Sequence, residues 1–147
     1  MLQRSSATMP ARPALGWADD HVSAYATAHP WEDFAETFAH YLHIVDALGA
    51  MAEFGVGLEG NRAPHPDIDA YRVATATLVE RWIPISFALN AVNRAMGQPD
   101  LYPFRLSPGI MLKLDFVNRL IVRAAGREEI PEGSELSAMI ASLGHGV

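Results

Sequence analysis

Four side chains that can bind a metal or carry a proton occur close together in the segment HPWEDFAETFAHYLHIVD, residues 29–46. They are Glu32, Glu36, His40 and His43, and we call them the acid–histidine stripe. At about 100° per residue, a helix places all four within roughly 80° of arc. Carboxylate and neutral imidazole are good zinc ligands, and a catalytic zinc site typically uses three protein ligands and a water. The spacing therefore indicates a metal-facing stripe, in which one glutamate binds and its neighbour orients a ligand.

An ordinary solvated helix face is the alternative interpretation of the same stripe. Acidic residues near a helix start are favoured by the helix dipole, and Glu–His pairs four residues apart are frequent on surfaces. However, no Lys or Arg lies between Glu32 and Arg62, whereas solvated faces usually mix both signs. The residues alone leave both interpretations open.

A long helix is predicted to carry the stripe. His29 and Pro30, followed by two acidic residues, are typical of a helix start. Apolar residues recur at helical spacing to about Phe54, and Gly55 favours termination. The predicted opposite face carries Phe34, Phe38, Tyr41 and Val45.

A second helix is predicted from about Ala70 to Gly97. Pro84 lies inside it and cannot donate a backbone hydrogen bond, so we expect a kink or a break near Arg81. Asn90 and Asn93 are expected to form interhelical hydrogen bonds, and Trp31 and Trp82 are expected in the core.

A third helix is predicted to begin at Pro108, capped by Ser107, and to end at Gly126. A short helix over residues 134–143 is also possible, while residues 18–28 fit either a helical turn or an extended piece. No convincing period-2 pattern occurs, so the fold class is all-α with four to five helices. We divide the chain into an irregular segment, 1–16, a helical region, 17–126, and a C-terminal tail, 127–147.

Composition restricts the classes of function. The 147 residues are half apolar, with a net charge of -6 and no cysteine. Eleven scattered basic residues on an acidic chain argue against nucleic-acid binding. No apolar run approaches the roughly 18 residues that span a bilayer, and no signal-peptide pattern occurs. We therefore expect a cytoplasmic protein without nucleic-acid or membrane partners.

The segment YATAHPWEDFAETFA, residues 25–39, resembles a bacterial family of zinc-binding metallopeptidases, a zincin-like group. The similarity continues through ERWIPISFALNAVNRAMGQPDLYPFRLSP, residues 80–108, and covers roughly residues 17–125. In that family, the segment follows an H-E-x-x-H helix. The resemblance implies that this chain is the C-terminal helical subdomain of a zincin-like peptidase.

The resemblance also implies roles for individual residues. Glu32 matches the glutamate that serves as third zinc ligand, and Glu36 matches the acid that supports a ligating histidine. Tyr25 matches a tyrosine that stabilises the transition-state oxyanion, a role that suits a phenol beside a Lewis-acid metal. His40 and His43 are motif residues that we retain as candidate metal ligands. The implied cofactor is Zn²⁺, and the implied substrate is a peptide or protein.

One departure from the family pattern limits this interpretation. No H-E-x-x-H occurs in the sequence, so two histidine ligands and the glutamate base are missing. We expect a partial catalytic domain that is inactive alone. Two alternatives remain: a non-enzymatic helical module that forms a homodimer through an exposed apolar face, and a metal site built from Glu36, His40 and His43 alone.

Overall fold

Four α-helices and two short 3₁₀ turns make up the regular structure in the computed structural model, which describes residues 15–57, 73–102, 105–126 and 134–143. The helices are α1 (Pro30–Glu53), α2 (Thr75–Ala95), α3 (Pro108–Ala124) and α4 (Ser134–Leu143). The 3₁₀ turns are Trp17–Asp19 and Tyr25–Ala28. These ranges contain no strand, and the predicted all-α fold is confirmed. Residues 18–28 thus follow the helical-turn alternative in part.

Helix α1 begins and ends where the sequence predicts. The His29 ring caps it, because its Nδ1 accepts a hydrogen bond from the Trp31 backbone N–H at 3.1 Å. Pro30 occupies the first turn, where no donor is needed. The helix ends at Glu53, and Gly55 follows with φ 63°, a conformation that glycine adopts without strain.

Helix α2 differs from its prediction at both the start and the proline. Ala70 lies outside the described residues, and the helix begins at Thr75. It runs through Pro84 as one continuous helix, so of the two predicted outcomes, a kink or a break, the break is wrong. Trp82 and Ile85, on either side of the proline, are both buried in the core. Their packing holds the two halves in one helix despite the missing hydrogen bond.

The core lies between α1, α2 and α3. Its fully buried members include Tyr41, Ile44, Val45, Ile110 and Leu114. The face predicted opposite the stripe is therefore only partly correct: Tyr41 and Val45 are buried, but Phe34 is 36% exposed. Trp82 is in the core as predicted, whereas Trp31 is 74% exposed, so its predicted core position was wrong.

A buried polar network ties the three helices together. The Tyr41 hydroxyl donates to Asn118 Oδ1 at 2.9 Å, and Asn118 Nδ2 donates to Thr75 Oγ1 at 3.0 Å. Thr75 in turn donates to Asp115 Oδ1 at 2.8 Å. Because each polar group inside this network has a partner, burial costs little, and the network fixes how α1, α2 and α3 sit together.

The outer parts of the chain are described only in part. Helix α4 confirms the predicted terminal helix over residues 134–143, and α3 begins and ends as predicted. The predicted irregular segment 1–16 lies outside the described residues except for its last two positions. In the described part of the chain, no helix is both long and apolar enough to cross a membrane.

Candidate site along helix α1

The acid–histidine stripe lies at the border between the buried and exposed sides of α1. Glu32, Glu36 and His40 are half-buried, and His43 is exposed. The first residue of the stripe lies in the first turn of α1, where the helix dipole favours negative charge. The stripe is thus neither sealed in the core nor a fully solvated face, so both solvent and a ligand can reach it.

Tyr25 is brought to the start of the stripe by the turn Tyr25–Ala28. This turn packs against α1 through Ala26, which is 1% exposed, and the Ser23 hydroxyl accepts a hydrogen bond from the Ala26 N–H at 3.1 Å. The Tyr25 side chain itself is 54% exposed. A hydrogen bond from its hydroxyl to the Glu32 carboxylate raises the pKa of the phenol, and the Glu32 and Glu36 charges add to the shift.

These contacts join three residues that are separated in sequence. The Glu32 and Glu36 carboxylates both lie close enough to act on the pKa of the Tyr25 phenol, and Glu32 has the larger effect. One accessible region of the surface therefore carries the Glu32 and Glu36 carboxylates, one helical turn apart, and the protonated phenol of Tyr25. We call it the Tyr25–Glu32–Glu36 corner. Such a corner can bind a cation through the carboxylates and offer a hydrogen bond to developing negative charge.

The two histidines form the other end of the stripe. The His40 and His43 rings meet edge to face with centroids 5.7 Å apart. Burial lowers the pKa of His40, and the neighbouring His43 lowers it further, while the Glu36 charge opposes the shift. His40 is therefore held toward its neutral form, the form in which an imidazole binds metals or accepts a proton.

Tyr102 is a part of this site that the sequence pattern did not reveal. Its hydroxyl lies 3.2 Å from Nδ1 of His40, although 62 positions separate the two residues. The Tyr102 ring packs edge to face on Trp82 with centroids 4.7 Å apart. The only signal in the sequence is the position of Tyr102 between Pro99 and Pro103, in the connector that follows α2.

Asn90 holds Tyr102 in place through its backbone. The Asn90 side chain donates to the Tyr102 carbonyl and accepts from the Tyr102 N–H, both at 2.9 Å. Asn93 similarly donates to the Pro99 carbonyl at 3.2 Å. The predicted interhelical role of these asparagines was therefore wrong: both bind the connector that follows their own helix.

A second polar cluster lies on the other side of the α1 start. Lys113 Nζ donates to Asp33 Oδ2 at 2.7 Å and also contacts the Asp20 carbonyl. Nε2 of His21 lies 4.0 Å from the same Asp33 oxygen. His21 is thus half-buried beside a carboxylate. This cluster joins α1 to α3.

The described residues do not complete a metal site. Over 15–57, 73–102, 105–126 and 134–143, no three His, Cys, Asp or Glu side chains are arranged to hold a metal ion. The hypothesis that Glu36, His40 and His43 bind a metal by themselves therefore gains no support from their arrangement. Glu32 remains suitable as a single ligand, because its carboxylate is reachable and its partner is a neutral phenol.

Comparison with protein families decides what kind of chain this is. Residues 3–120 match the sequence profile of the family described as "Putative zinc-binding metallo-peptidase". The chain belongs to this family. The match includes α1, α2, most of α3 and the whole Tyr25–Glu32–Glu36 corner, and it supports Zn²⁺ as the metal associated with the family.

Curated relatives of this family member come from mycobacteria. Two uncharacterized proteins from Mycobacterium tuberculosis strains and one from Mycobacterium bovis are each 43% identical to it over 113 residues. The matched region is 77% of this chain but only 33% of each relative. The chain thus spans about a third of the length of these relatives. No solved structure matches it significantly.

Proposed function

We propose that the chain supplies one zinc ligand, Glu32, and an oxyanion-stabilising tyrosine, Tyr25, to a zinc-dependent peptidase. The observation that carries this proposal is the packing of the turn Tyr25–Ala28 at the start of α1, which brings the Tyr25 phenol near the Glu32 and Glu36 carboxylates. These are the positions to which the family resemblance assigns the ligand, the oxyanion donor and the supporting acid. Membership of the zinc-binding metallo-peptidase family supports the same assignment.

The ligand set must be completed from outside the described residues. Glu32 offers one carboxylate, whereas catalytic zinc typically takes three protein ligands. The sequence has no H-E-x-x-H, the motif that supplies two histidines and a general base in such peptidases. We therefore propose that the 147 residues form part of a catalytic domain and do not hydrolyse peptides alone.

Each residue has a defined task in the proposed reaction. Bound zinc supplies Lewis acidity for a carbonyl oxygen and lowers the pKa of a water. Glu32 would hold the metal through its carboxylate, and Glu36 would add negative charge that favours a cation at this corner. Tyr25 donates its hydroxyl proton in a hydrogen bond to the oxygen that becomes negative. Because the phenol has one proton, Tyr25 must leave Glu32 to make that bond.

Peptide hydrolysis by an extended chain tests this proposal. The chain, extended at its N-terminus by an H-E-x-x-H segment of the family, is assayed with a peptide library with and without zinc. We expect zinc-dependent cleavage that falls by about 10²–10³-fold in Tyr25→Phe, the usual cost of losing one oxyanion donor. Zinc content should be unchanged in that variant. Unchanged cleavage in Tyr25→Phe, or no cleavage of any peptide, contradicts the proposal.

Self-association is a second candidate, favoured by an apolar groove between α1 and α3. The groove has a volume of about 260 Å³ and is lined in part by Phe34, Leu112 and Phe116. Leu112 and Phe116 are 58% and 60% exposed, and the next turn of α3 adds Leu120 at 43%. Exposed apolar stripes of this kind mark interaction surfaces, and a second copy would bury them in an isologous contact.

Sedimentation velocity distinguishes this candidate from the first. A homodimer through the groove is expected to dissociate in Phe116→Ser and to persist in Phe87→Ser, a matched change at a 67% exposed phenylalanine of α2. A wild-type chain that stays monomeric over the whole accessible concentration range would remove the homodimer candidate.

A further inference from the structure

The Tyr102 hydroxyl lies within hydrogen-bonding distance of two atoms of one residue, His40. Its oxygen is 3.2 Å from the ring Nδ1 and 3.3 Å from the backbone carbonyl oxygen. Tyr102 is only 9% exposed, and its ring also meets the His40 ring edge to face, with centroids 5.5 Å apart. Together with the two backbone hydrogen bonds from Asn90, these contacts fix where the hydroxyl points.

Proton counting decides the direction of both hydrogen bonds. A tyrosine hydroxyl has one proton, and a carbonyl oxygen can only accept. If the proton is not shared between two acceptors, both bonds form together only when the hydroxyl donates to the carbonyl and accepts from Nδ1–H. Burial raises the pKa of Tyr102, so the hydroxyl keeps its proton at neutral pH. A neutral histidine has a single N–H, and with that N–H at Nδ1, the lone pair belongs to Nε2.

We propose that Tyr102 is a positioning residue of the candidate site, fixing His40 as the Nδ1–H tautomer so that Nε2 acts as a hydrogen-bond acceptor on the stripe. Nε2 is the ring nitrogen away from the Tyr102 contact. The kind of donor from which Nε2 accepts a hydrogen bond rests on the proposed function, because a peptide substrate presents backbone N–H groups. The tautomer itself follows from the contacts of the 147-residue chain and does not depend on zinc or on hydrolysis.

Side chains of α2 hold the connector in place at Tyr102. Asn90 bonds both backbone groups of Tyr102, in the way that a neighbouring strand would, and the Trp82 ring packs edge to face against the Tyr102 ring. The support of a ligand-binding histidine by a partner on its other nitrogen is a general device for setting ring orientation and tautomer. Here, the partner comes from the connector between α2 and α3 and acts on a residue of α1.

Nitrogen-15 NMR of the histidine-labelled 147-residue chain at neutral pH tests the proposal directly. His40→Gln identifies the resonances of His40 by removing them. In the wild-type chain, we expect the correlation pattern of the Nδ1–H tautomer for His40. In Tyr102→Phe, which keeps the ring and the Asn90 bonds, we expect that pattern to be lost in favour of the Nε2–H tautomer, which histidine prefers in water.

A matched control separates this specific effect from general loosening of the core. Tyr41→Phe removes a buried hydroxyl from α1, the helix that carries His40. This hydroxyl donates to Asn118, so its loss should leave the His40 tautomer unchanged. Finding wild-type His40 in the Nε2–H form overturns the proposal by itself. The proposal can therefore be refuted even if Tyr102→Phe does not fold. An unchanged tautomer in folded Tyr102→Phe overturns it equally. Neither result bears on whether Glu32 binds zinc.

Discussion

Tyr25 and Glu32 illustrate how a single contact can support a catalytic assignment. The phenol is more than half exposed, and its pKa is raised by hydrogen bonding to Glu32 and by the nearby negative charge. A raised pKa keeps the proton on the phenol, which is the state required of a hydrogen-bond donor to an oxyanion. The same contact places the proposed ligand and the proposed donor next to each other.

Removal of the Glu32 charge should lower the pKa of Tyr25. The hydrogen bond to Glu32 is the largest cause of the raised pKa, and Glu36 contributes least. We expect Glu32→Gln to bring the Tyr25 pKa down toward its ordinary value of 10.0, and Glu36→Gln to lower it less. Carbon-13 NMR of labelled tyrosine rings as a function of pH measures this, with Glu53→Gln at the far end of α1 as the control. Equal Tyr25 pKa values in Glu32→Gln and Glu53→Gln would contradict the contact.

His40 should make the folded chain less stable in acid. Its pKa in the folded state is lowered below the ordinary value of 6.5, so the unfolded chain binds this proton more readily. The contribution of neutral His40 to stability is therefore present above pH 6.5 and is lost as the pH falls below it. Urea unfolding at pH 7.5 and 5.5 should show a smaller loss of stability in His40→Gln than in the wild-type chain. Identical losses in both would show that His40 is not shifted in this way.

Local signals in the sequence were sufficient to predict most helix boundaries. His29-Pro30 and Ser107-Pro108 mark the starts of α1 and α3, and in both cases the residue before the proline caps the helix with its side chain. These signals work because capping depends on residues within one turn of each other. The continuity of α2 through Pro84 was not predictable, because it depends on core packing by Trp82 and Ile85.

The approach of the turn Trp17–Asp19 to α3 requires Gly109. A Cβ at this position would meet the Asp20 carboxylate and lie 3.0 Å from the Asp19 carbonyl oxygen. We expect Gly109→Ala to destabilise the fold by about 1–3 kcal/mol, because backbone must move to relieve the contact. Urea denaturation monitored by circular dichroism measures the change.

Gly49 provides the matched control for Gly109. It lies inside α1, and a Cβ there would meet nothing within 4 Å. Gly49→Ala should stabilise the chain by about 0.5–1 kcal/mol, the gain from replacing a helical glycine by alanine. If both alanine variants changed stability in the same direction, the close approach at Gly109 would not be the cause.

At the scale of the whole molecule, the sequence predicted where the stripe lies on α1 but not which distant residues pack against it. Periodicity placed Glu32, Glu36, His40 and His43 along one side of α1, and the structure keeps them in order along the border of its buried face. Tyr102 could not be found in this way, because 62 residues separate it from His40 and only the packing of the connector against α1 brings them together. Long-range contacts of this kind leave no periodic trace in a sequence.

The region of this chain that matches the mycobacterial relatives is about a third of their length. The profile match covers residues 3–120, while the matched region is a third of each mycobacterial relative. Within the described residues, the chain nevertheless forms three core helices, a hydrogen-bonded polar network and the corner around Tyr25 and Glu32. The proposed ligand Glu32 thus lies on a formed scaffold, in keeping with the proposal that the remaining ligands come from another segment.

Zinc content of the extended chain tests the central claim most directly. The 147 residues, preceded by an H-E-x-x-H segment of the family, are dialysed and analysed for metal beside Glu32→Gln and the control Glu53→Gln. We expect about one zinc per extended chain, retained in Glu53→Gln and lost in Glu32→Gln, because a three-ligand site loses one ligand. Full zinc occupancy in Glu32→Gln would show that Glu32 is not a ligand and would contradict the account.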